Sequence, residues 1–229
     1  MKVKFFLPFF MALLLPISLF SYEVSFNKKF IKLVTPDLLT TYINISIENE
    51  SEKFINNHIE EFNKYIKDNN SVEKNHGSFT LSPKYKYFKN TQEFIGYVGN
   101  LKYTIKSKNA KNLNEFINDL IDIETKFRRA NIKLRISNVS WTTSTKLYDK
   151  SVDSLRIEAM TWIETYAQTL KSILSKECIV KNININKSSN QFLRASNMES
   201  FSSKRVSNVA PVNSSQEIKI ESNFVLECK

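Results

Sequence analysis

The chain has 229 residues, of which 41% are hydrophobic and 12% aromatic, a composition typical of a globular protein. Its formal charge is +10, but the lysines are scattered singly, which favours a solvated surface over a nucleic-acid-binding patch. The only glycines are Gly77, Gly96 and Gly99, so a glycine-rich phosphate loop, a dinucleotide fingerprint and a nucleophile elbow are excluded.

Residues 1–21 have the pattern of a secretory signal peptide. Lys2 and Lys4 precede an almost purely apolar run from Phe5 to Phe20, and a small residue follows it. The run is shorter than the roughly 20 residues that a membrane-spanning helix needs, and it contains two prolines. We therefore predict an exported, soluble, periplasmic chain that consists of one domain, residues 22–229, with a charge of +8. An uncleaved N-terminal anchor is the alternative.

The apolar residues of the mature chain follow either a strand period or a helix period, which predicts ten elements. In chain order these are strands 24–34 and 38–48, a helix from 51 to 68, strands 78–88 and 94–106, a helix over 110–126, a strand over 131–142, a long helix from about 151 to 174, and strands 178–185 and 217–228. Residues 187–216 are rich in Ser and Asn and predict a long polar loop. Residues 89–92 predict the turn of a hairpin.

The predicted order from residue 38 to residue 142 is strand-helix-strand-strand-helix-strand. This is the split βαβ pattern. We therefore expect an α+β fold with an antiparallel or mixed sheet, extended by a long third helix and two C-terminal strands.

Cys178 and Cys228 are the only cysteines, and each lies in a predicted strand. In an exported protein an even count favours one disulfide bond, although two free buried thiols are the alternative. Placing the two cysteines opposite each other aligns Val180 with Leu226 but turns Ile183 to the other face. Either a β-bulge or a strand buried on both faces would reconcile this pattern.

Two groups of side chains are candidates for binding. One is a group of aromatic residues on the predicted hairpin, where Tyr and Phe alternate with Lys, and it would form either a binding face or one face of the core; its members are Tyr85, Tyr87, Phe88, Phe94 and Tyr97. Met160 and Trp162 lie off the apolar stripe of the long helix, where they could serve a subunit interface.

The residues indicate no catalytic, cofactor or metal site, so we expect a protein that is not an enzyme and needs no cofactor. The positive charge leaves an anionic membrane surface as a candidate partner. Because the chain is predicted to be exported, a nucleic-acid partner is not expected.

Several short motifs occur in a characteristic order along the chain. They are Thr35-Pro36-Asp37 before an alternating strand, Leu81-Ser-Pro-Lys-Tyr85, Ile95-Gly96-Tyr97, Asn138-Val-Ser-Trp141, and the long helix Leu155–Leu174 followed by a strand, a polar loop and a terminal strand. This order resembles the SIMPL-domain family of bacterial exported proteins over about residues 24–228. The family includes periplasmic immunogenic proteins and proteins described as defending against oxidative stress.

The resemblance implies export and, as in some family members, assembly into large rings or channel-like oligomers. It implies no enzymatic activity and supplies no catalytic residues. We therefore expect a non-enzymatic periplasmic protein that self-assembles and acts in envelope maintenance or stress tolerance. The alternative is a monomeric binding module that uses the aromatic hairpin or the basic surface for a ligand, a partner or an anionic membrane.

Overall fold

The computed structural model describes residues 21–89, 91–127, 131–187 and 210–229. The predicted signal peptide up to residue 20, Asn90 of the predicted turn and most of the predicted long loop lie outside these residues. The described parts of the chain form eight strands and three helices. They are β1 (Tyr22–Val34), β2 (Leu38–Asn49), α1 (Glu52–Asp68), β3 (Glu73–Phe88), β4 (Thr91–Ser107), α2 (Ala110–Lys126), β5 (Asn131–Ile136), β6 (Ser140–Thr142), α3 (Thr145–Leu174), β7 (Cys178–Lys187) and β8 (Gln216–Cys228).

The chain divides into two compact units. Of the described residues, unit 1 comprises 21–32, 152–187 and 219–229, and unit 2 comprises 33–89, 91–127, 131–151 and 210–218. The division therefore falls within β1, α3 and β8.

Unit 2 contains a five-stranded sheet in which the strands β3, β4, β2 and β5 follow one another and the short strand β6 also pairs with β2. All of these pairings are antiparallel. The order and the pairing confirm the predicted split βαβ pattern. Helix α1 contacts β2 and β4, and helix α2 contacts β4 and β5. Both helices cover the same face of the sheet.

Helix α1 forms where the sequence predicts it. The Ser51 hydroxyl accepts a hydrogen bond from the Phe54 amide at 3.4 Å and so caps the helix N-terminus. The apolar stripe is buried against the sheet, together with the corresponding stripe of α2. The buried side chains of the two helices are Ile55, Ile59, Phe62 and Ile66 of α1 and Leu113, Phe116, Ile117, Leu120 and Ile121 of α2. Burial of these two stripes forms the core of unit 2.

Strand β2 shows why the sheet has one covered and one open face. Ile43, Ile45 and Ile47 are buried beneath the helices, whereas Tyr42 before them and Asn44 between them point to the other side. Successive side chains of a strand lie on opposite faces. The apolar alternation of this strand therefore fixes which face receives the helices.

The Thr-Pro-Asp motif joins three elements of unit 2. The Asp37 carboxylate accepts hydrogen bonds from the Ser144 amide at 2.7 Å and the Ser144 hydroxyl at 2.8 Å. The Ser144 hydroxyl in turn accepts a bond from the Leu147 amide at 3.2 Å, as an N-cap residue does. The Trp141 indole donates to the Pro211 carbonyl at 2.7 Å. These motif residues therefore hold the start of β2, the start of α3 and the segment before β8 together.

Unit 1 contains a three-stranded sheet with the order β1, β8, β7. Strands β7 and β8 are antiparallel, and the register places Cys178 directly opposite Cys228, where the two form a disulfide bond. The register shifts by one residue between Val180 and Asn182, which returns Ile183 to the face of Phe224. Of the two predicted explanations for the apolar pattern, the structure shows the bulge.

Three predicted boundaries differ from the structure. The strand predicted over residues 131–142 is interrupted after Ile136, where the Tyr42 carbonyl accepts a hydrogen bond from the Ser137 amide at 2.9 Å and β6 begins three residues later. Helix α3 begins at Thr145 instead of near Ser151, because the Ser144 cap lies further upstream. Strand β3 begins at Glu73 instead of Ser78. A bulge between Asn75 and Ser78 lets its pairing with β4 continue through polar residues, whose sequence shows no strand alternation.

Candidate functional site

Part of the β3–β4 hairpin extends beyond the rest of the five-stranded sheet. The last pair between β2 and β4 is Asn49 with Tyr97, so residues 91–96 of β4 pair only with β3. At about 3.4 Å per residue, these six residues extend roughly 20 Å past the end of β2. We call residues 83–96 the hairpin arm.

Gly96 lies where the arm leaves the sheet. Its φ angle is +125°, which side chains other than hydrogen rarely tolerate. A Cβ atom at this position would lie 2.7 Å from the Asn49 carbonyl oxygen. The register between β3 and β4 shifts at the same point, between the pair Lys84–Gly96 and the pair Tyr85–Phe94. The middle residue of the Ile95-Gly96-Tyr97 motif therefore permits a bulge that no other residue fits.

One face of the arm and of the adjoining sheet is lined by aromatic rings. Phe79 pairs with the buried Leu101, so its ring lies on the side of the sheet that α1 and α2 cover further along. Tyr85 and its pairing partner Phe94 lie on the same side. The aromatic face, as we name it, consists of Phe79, Tyr85, Tyr87, Phe94 and Tyr97.

Phe94 contacts the rings of Tyr85 and Tyr97, and four of the five rings of the aromatic face are exposed, whereas Tyr97 packs partly against the core of unit 2. The Tyr85 and Phe94 centroids are 5.8 Å apart and the Phe94 and Tyr97 centroids 5.0 Å apart, both in edge-to-face geometry. The exposed fraction is 73% for Tyr87, 48% for Phe94, 44% for Phe79 and 41% for Tyr85. Such a continuous exposed apolar surface is typical of an interaction site.

The charged side chains near the arm differ between its two sides. On the aromatic side, a hydrogen bond to the Glu52 carboxylate raises the pKa of Tyr97, and partial burial adds to this effect. On the opposite side, Lys84 forms an ion pair with Glu48, which lowers the pKa of the Glu48 carboxyl group. The Leu81–Tyr85 motif thus supplies both an ion pair on one side and an aromatic ring on the other.

The outer edge of the arm is unsuited to pairing with a further strand. Strand β3 is the edge of the sheet, and its arm segment contains Pro83, Lys84 and Lys86. Proline lacks an amide donor, and lysines on edge strands oppose aggregation. Contacts to the arm are therefore expected through the aromatic face and not through backbone hydrogen bonds.

A shallow cleft adjoins the aromatic face between α1 and β3. It has a volume of about 370 Å³, and its walls include Phe79, Asn63, Glu60 and Tyr103. The Tyr103 hydroxyl donates to the Asn63 side-chain oxygen at 2.9 Å, and the Asn63 amide donates to Glu60 at 3.3 Å. The polar wall of the cleft is thus already hydrogen-bonded within the protein, whereas Phe79 remains exposed.

The structure separates the sequence-derived binding candidates into three environments. Tyr85, Tyr87 and Tyr97 come together on the aromatic face. Trp162 is stacked on Tyr166 at 4.8 Å within unit 1. Met160 is exposed on α3, beside the exposed Ile157. Of the other two candidates on the hairpin, Phe94 joins these tyrosines and Phe88 lies on the opposite side of the arm. Phe79 was not among the candidates, although its alternation with polar residues is the same signal that indicated the tyrosines.

The described residues contain no group of three or more His, Cys, Asp and Glu side chains that could hold a metal ion. No helix within these residues is both long and apolar enough to cross a membrane. His58 is used inside unit 2, where its Nδ1 atom lies 2.8 Å from the Phe54 carbonyl oxygen and its ring stacks on that of Phe54 at 4.0 Å.

These features define an α+β protein that is built on a split βαβ sheet and carries an uncovered aromatic hairpin. The model of the SIMPL family, described as a protein of unknown function (DUF541), matches residues 31–226. The chain therefore belongs to the SIMPL family, as the order of its motifs indicates.

Two further comparisons add little. No curated protein matches the chain. Among solved structures, the de novo designed protein Foldit4 is similar at 15% identity, with 43% of this chain and 97% of the designed chain covered and a TM-score of 0.27.

Proposed function

We propose that this protein is a non-enzymatic, exported SIMPL-domain protein that self-assembles through the aromatic face and acts in envelope maintenance or stress tolerance. The observation that carries the proposal is the aromatic face, which is built from neighbouring strands and left without cover. The Cys178–Cys228 disulfide supports an oxidising compartment, because such bonds are rare in the cytosol.

The area of the aromatic face fits a second copy of the chain. An aromatic side chain buries about 150–250 Å² in full, so rings that are about half exposed offer roughly 100 Å² each. The four exposed rings then supply roughly 400 Å² per copy and the more buried Tyr97 less than about 100 Å², so two copies packed face to face bury a little under about 1,000 Å², the size of a weak specific interface.

A second copy also explains the row-like arrangement of the rings. The rings follow the strands from Phe79 to Tyr87, and the same row on a second copy, related by a two-fold axis, is complementary to it. Two sheets that pack face to face lie about 10 Å apart, which interdigitated aromatic rings fill. Because the arm extends beyond α1, neither helix of unit 2 lies over its outer part.

Size-exclusion chromatography with light scattering on the mature chain tests the proposal. The wild type is expected as a dimer or a larger assembly at micromolar concentration. The double variant Tyr87→Ser, Phe94→Ser is expected to be monomeric, because it removes the two most exposed rings of the aromatic face. Its circular dichroism and unfolding midpoint are expected to stay close to those of the wild type, since both rings are largely exposed.

The matched control replaces exposed apolar residues on α3. The double variant Ile157→Ser, Met160→Ser removes a similar exposed apolar surface outside the arm and is expected to assemble as the wild type does. If this variant is monomeric and the arm variant is not, the interface lies on α3, where Met160 was a sequence-derived candidate. A monomeric wild type at micromolar concentration would contradict self-assembly itself.

A further inference from the structure

The face of the five-stranded sheet opposite α1 and α2 carries an unusual arrangement of positive charge. Antiparallel sheets often leave one face to water, so an open polar face is not by itself informative. The positions of its cations and aromatic rings are informative. We call this surface the open face.

Three cations surround the centre of the open face. Asn44 on β2 pairs with Lys102 on β4 and with Arg135 on β5, and the next outward residue of β2, Ser46, pairs with Lys133. With strands about 4.8 Å apart, the backbones at Lys102 and Arg135 are separated by about 10 Å, and Lys133 lies about 7 Å from Arg135 along β5. All three side chains are exposed.

None of these three cations forms a salt bridge with a described residue, and Lys133 acts on the Glu48 carboxyl group only through its field, which adds to the effect of Lys84 in lowering the pKa of Glu48. Other charges of the open face are matched, since Lys84 is paired with Glu48 and Lys106 lies opposite Glu73 in the register. The side-chain oxygen of Asn44, between two of the cations, is buried and has no hydrogen-bond donor. Lys102 and Arg135 therefore donate no hydrogen bond to the Asn44 side-chain oxygen, the nearest side-chain acceptor of the sheet.

Two exposed aromatic rings lie on the open face, one beside the cations and one near the end of the hairpin arm. Tyr42, two residues before Asn44 on β2, is 52% exposed on the open face. Phe88 is on the same side of the hairpin arm as Lys84 and is 65% exposed. Tyr42, an aromatic ring with a polar end, is the kind of side chain that favours the headgroup level of a bilayer, and an exposed phenylalanine such as Phe88 suits the apolar side of that interface.

We propose that the open face binds the phosphate headgroups of an anionic phospholipid bilayer through Lys102, Lys133 and Arg135. The cations lie on β4 and β5, on either side of β2, so they span about 10 Å at the usual strand spacing and are not gathered in a pocket, which suits a surface with many separate phosphates. The open face is on the other side of the sheet from the aromatic face. The inference is therefore independent of self-assembly.

Vesicle flotation with the mature protein tests this assignment. The protein is expected to float with vesicles that contain about one-third phosphatidylglycerol, not with pure phosphatidylcholine, and to be released as salt rises above about 0.15 M. The variant Lys102→Gln, Lys133→Gln, Arg135→Gln is expected to bind the anionic vesicles roughly a hundredfold more weakly. Each cation near such a surface contributes about a fivefold factor.

The matched control removes the same charge elsewhere. Lys53→Gln, Lys64→Gln, Lys126→Gln changes three exposed lysines of α1 and α2 and is expected to keep most of the binding. Equal losses in both triple variants would overturn the assignment, since net charge alone would then explain binding. The assignment would also fail if the wild type did not float, or if it bound soluble heparin through the open face but not vesicles.

Light scattering on both triple variants separates this inference from the proposed function. Both are expected to have the same molar mass as the wild type, because the aromatic face is unchanged. A monomeric wild type that still requires the open face for flotation would contradict self-assembly and leave membrane binding supported.

Discussion

Two groups of five aromatic side chains in this protein have opposite surroundings. In unit 1, Phe26, Phe30, Trp162, Tyr166 and Phe224 form what we call the aromatic cluster, in which Phe26 lies within 6 Å of three other rings. Phe224 is fully buried and Phe30 is 4% exposed. In unit 2, two pairs of rings of the aromatic face lie at similar distances, but four of its five rings are exposed.

The difference comes from whether a helix lies over the strands. In the aromatic cluster, α3 supplies Trp162 and Tyr166 against the rings of β1 and β8, and Lys28 lies 4.3 Å from the Trp162 ring as a cation–π partner. The hairpin arm extends past the end of β2, where neither helix of unit 2 reaches. Ring-to-ring contact alone therefore does not distinguish a core from a binding surface.

The largest expected effect is the loss of a ring from the aromatic cluster. Phe224→Ala removes a fully buried phenyl group that contacts Phe26, Phe30 and Trp162, so the free energy of unfolding is expected to fall by about 3–5 kcal/mol. Urea unfolding followed by tryptophan fluorescence measures this change. The matched variant Phe94→Ala on the aromatic face is expected to cost less than about 1 kcal/mol. Equal costs would show that the aromatic face is covered in solution.

The second-largest expected effect on stability is the loss of the disulfide bond between β7 and β8. The bond closes a loop between residues 50 positions apart, which in the chain-entropy model stabilises the fold by up to about 4 kcal/mol. The double variant Cys178→Ala, Cys228→Ala is expected to lose this stabilisation in urea unfolding. Reductant is expected to lower the stability of the wild type to a similar degree and to leave the variant unchanged. A wild type that is insensitive to reductant after unfolding and refolding would contradict the bond's contribution.

The sequence predicts most of the fold because its apolar periods match its elements. The stripe of α1 and the alternation of β2 place their buried residues correctly. The split βαβ order then determines which strands are neighbours. The cysteine pairing indicates that the apolar pattern changes face after Val180, but the choice between a bulge and a strand buried on both faces comes only from the structure, which shows the bulge.

The aromatic face is only half predictable, since its composition is visible in the sequence and its exposure is not. Tyr85 and Tyr87 are two residues apart on one strand, and Phe26 and Phe30 are four residues apart on another. Both spacings place the two rings on the same face of a strand, and both therefore favour a core face. The decisive feature is the length of β2, which ends at Asn49 and leaves the arm unsupported. Neighbouring strands of unequal length are a tertiary property, so local patterns do not reveal them.

The smallest of the three effects on stability concerns the position where the arm begins. Gly96→Ala places a Cβ atom 2.7 Å from the Asn49 carbonyl oxygen at a φ of +125°. The expected loss in free energy of unfolding is about 1–3 kcal/mol, the usual cost of such backbone strain. Thr80→Ala, an exposed position of β3 on the open face, is the control and is expected to change stability by less than about 0.5 kcal/mol.

The same variant also tests what directs the arm. Because the backbone must move to relieve the contact, the rings before Gly96 shift relative to Tyr97, and the aromatic face loses its continuity with the sheet. Gly96→Ala is therefore expected to weaken self-assembly more than its stability cost explains, whereas Phe224→Ala is expected to lower stability and leave the folded fraction able to assemble. If Gly96→Ala assembles as the wild type does, the orientation of the arm does not matter for association. The difference between the aromatic cluster and the aromatic face would then depend on burial alone.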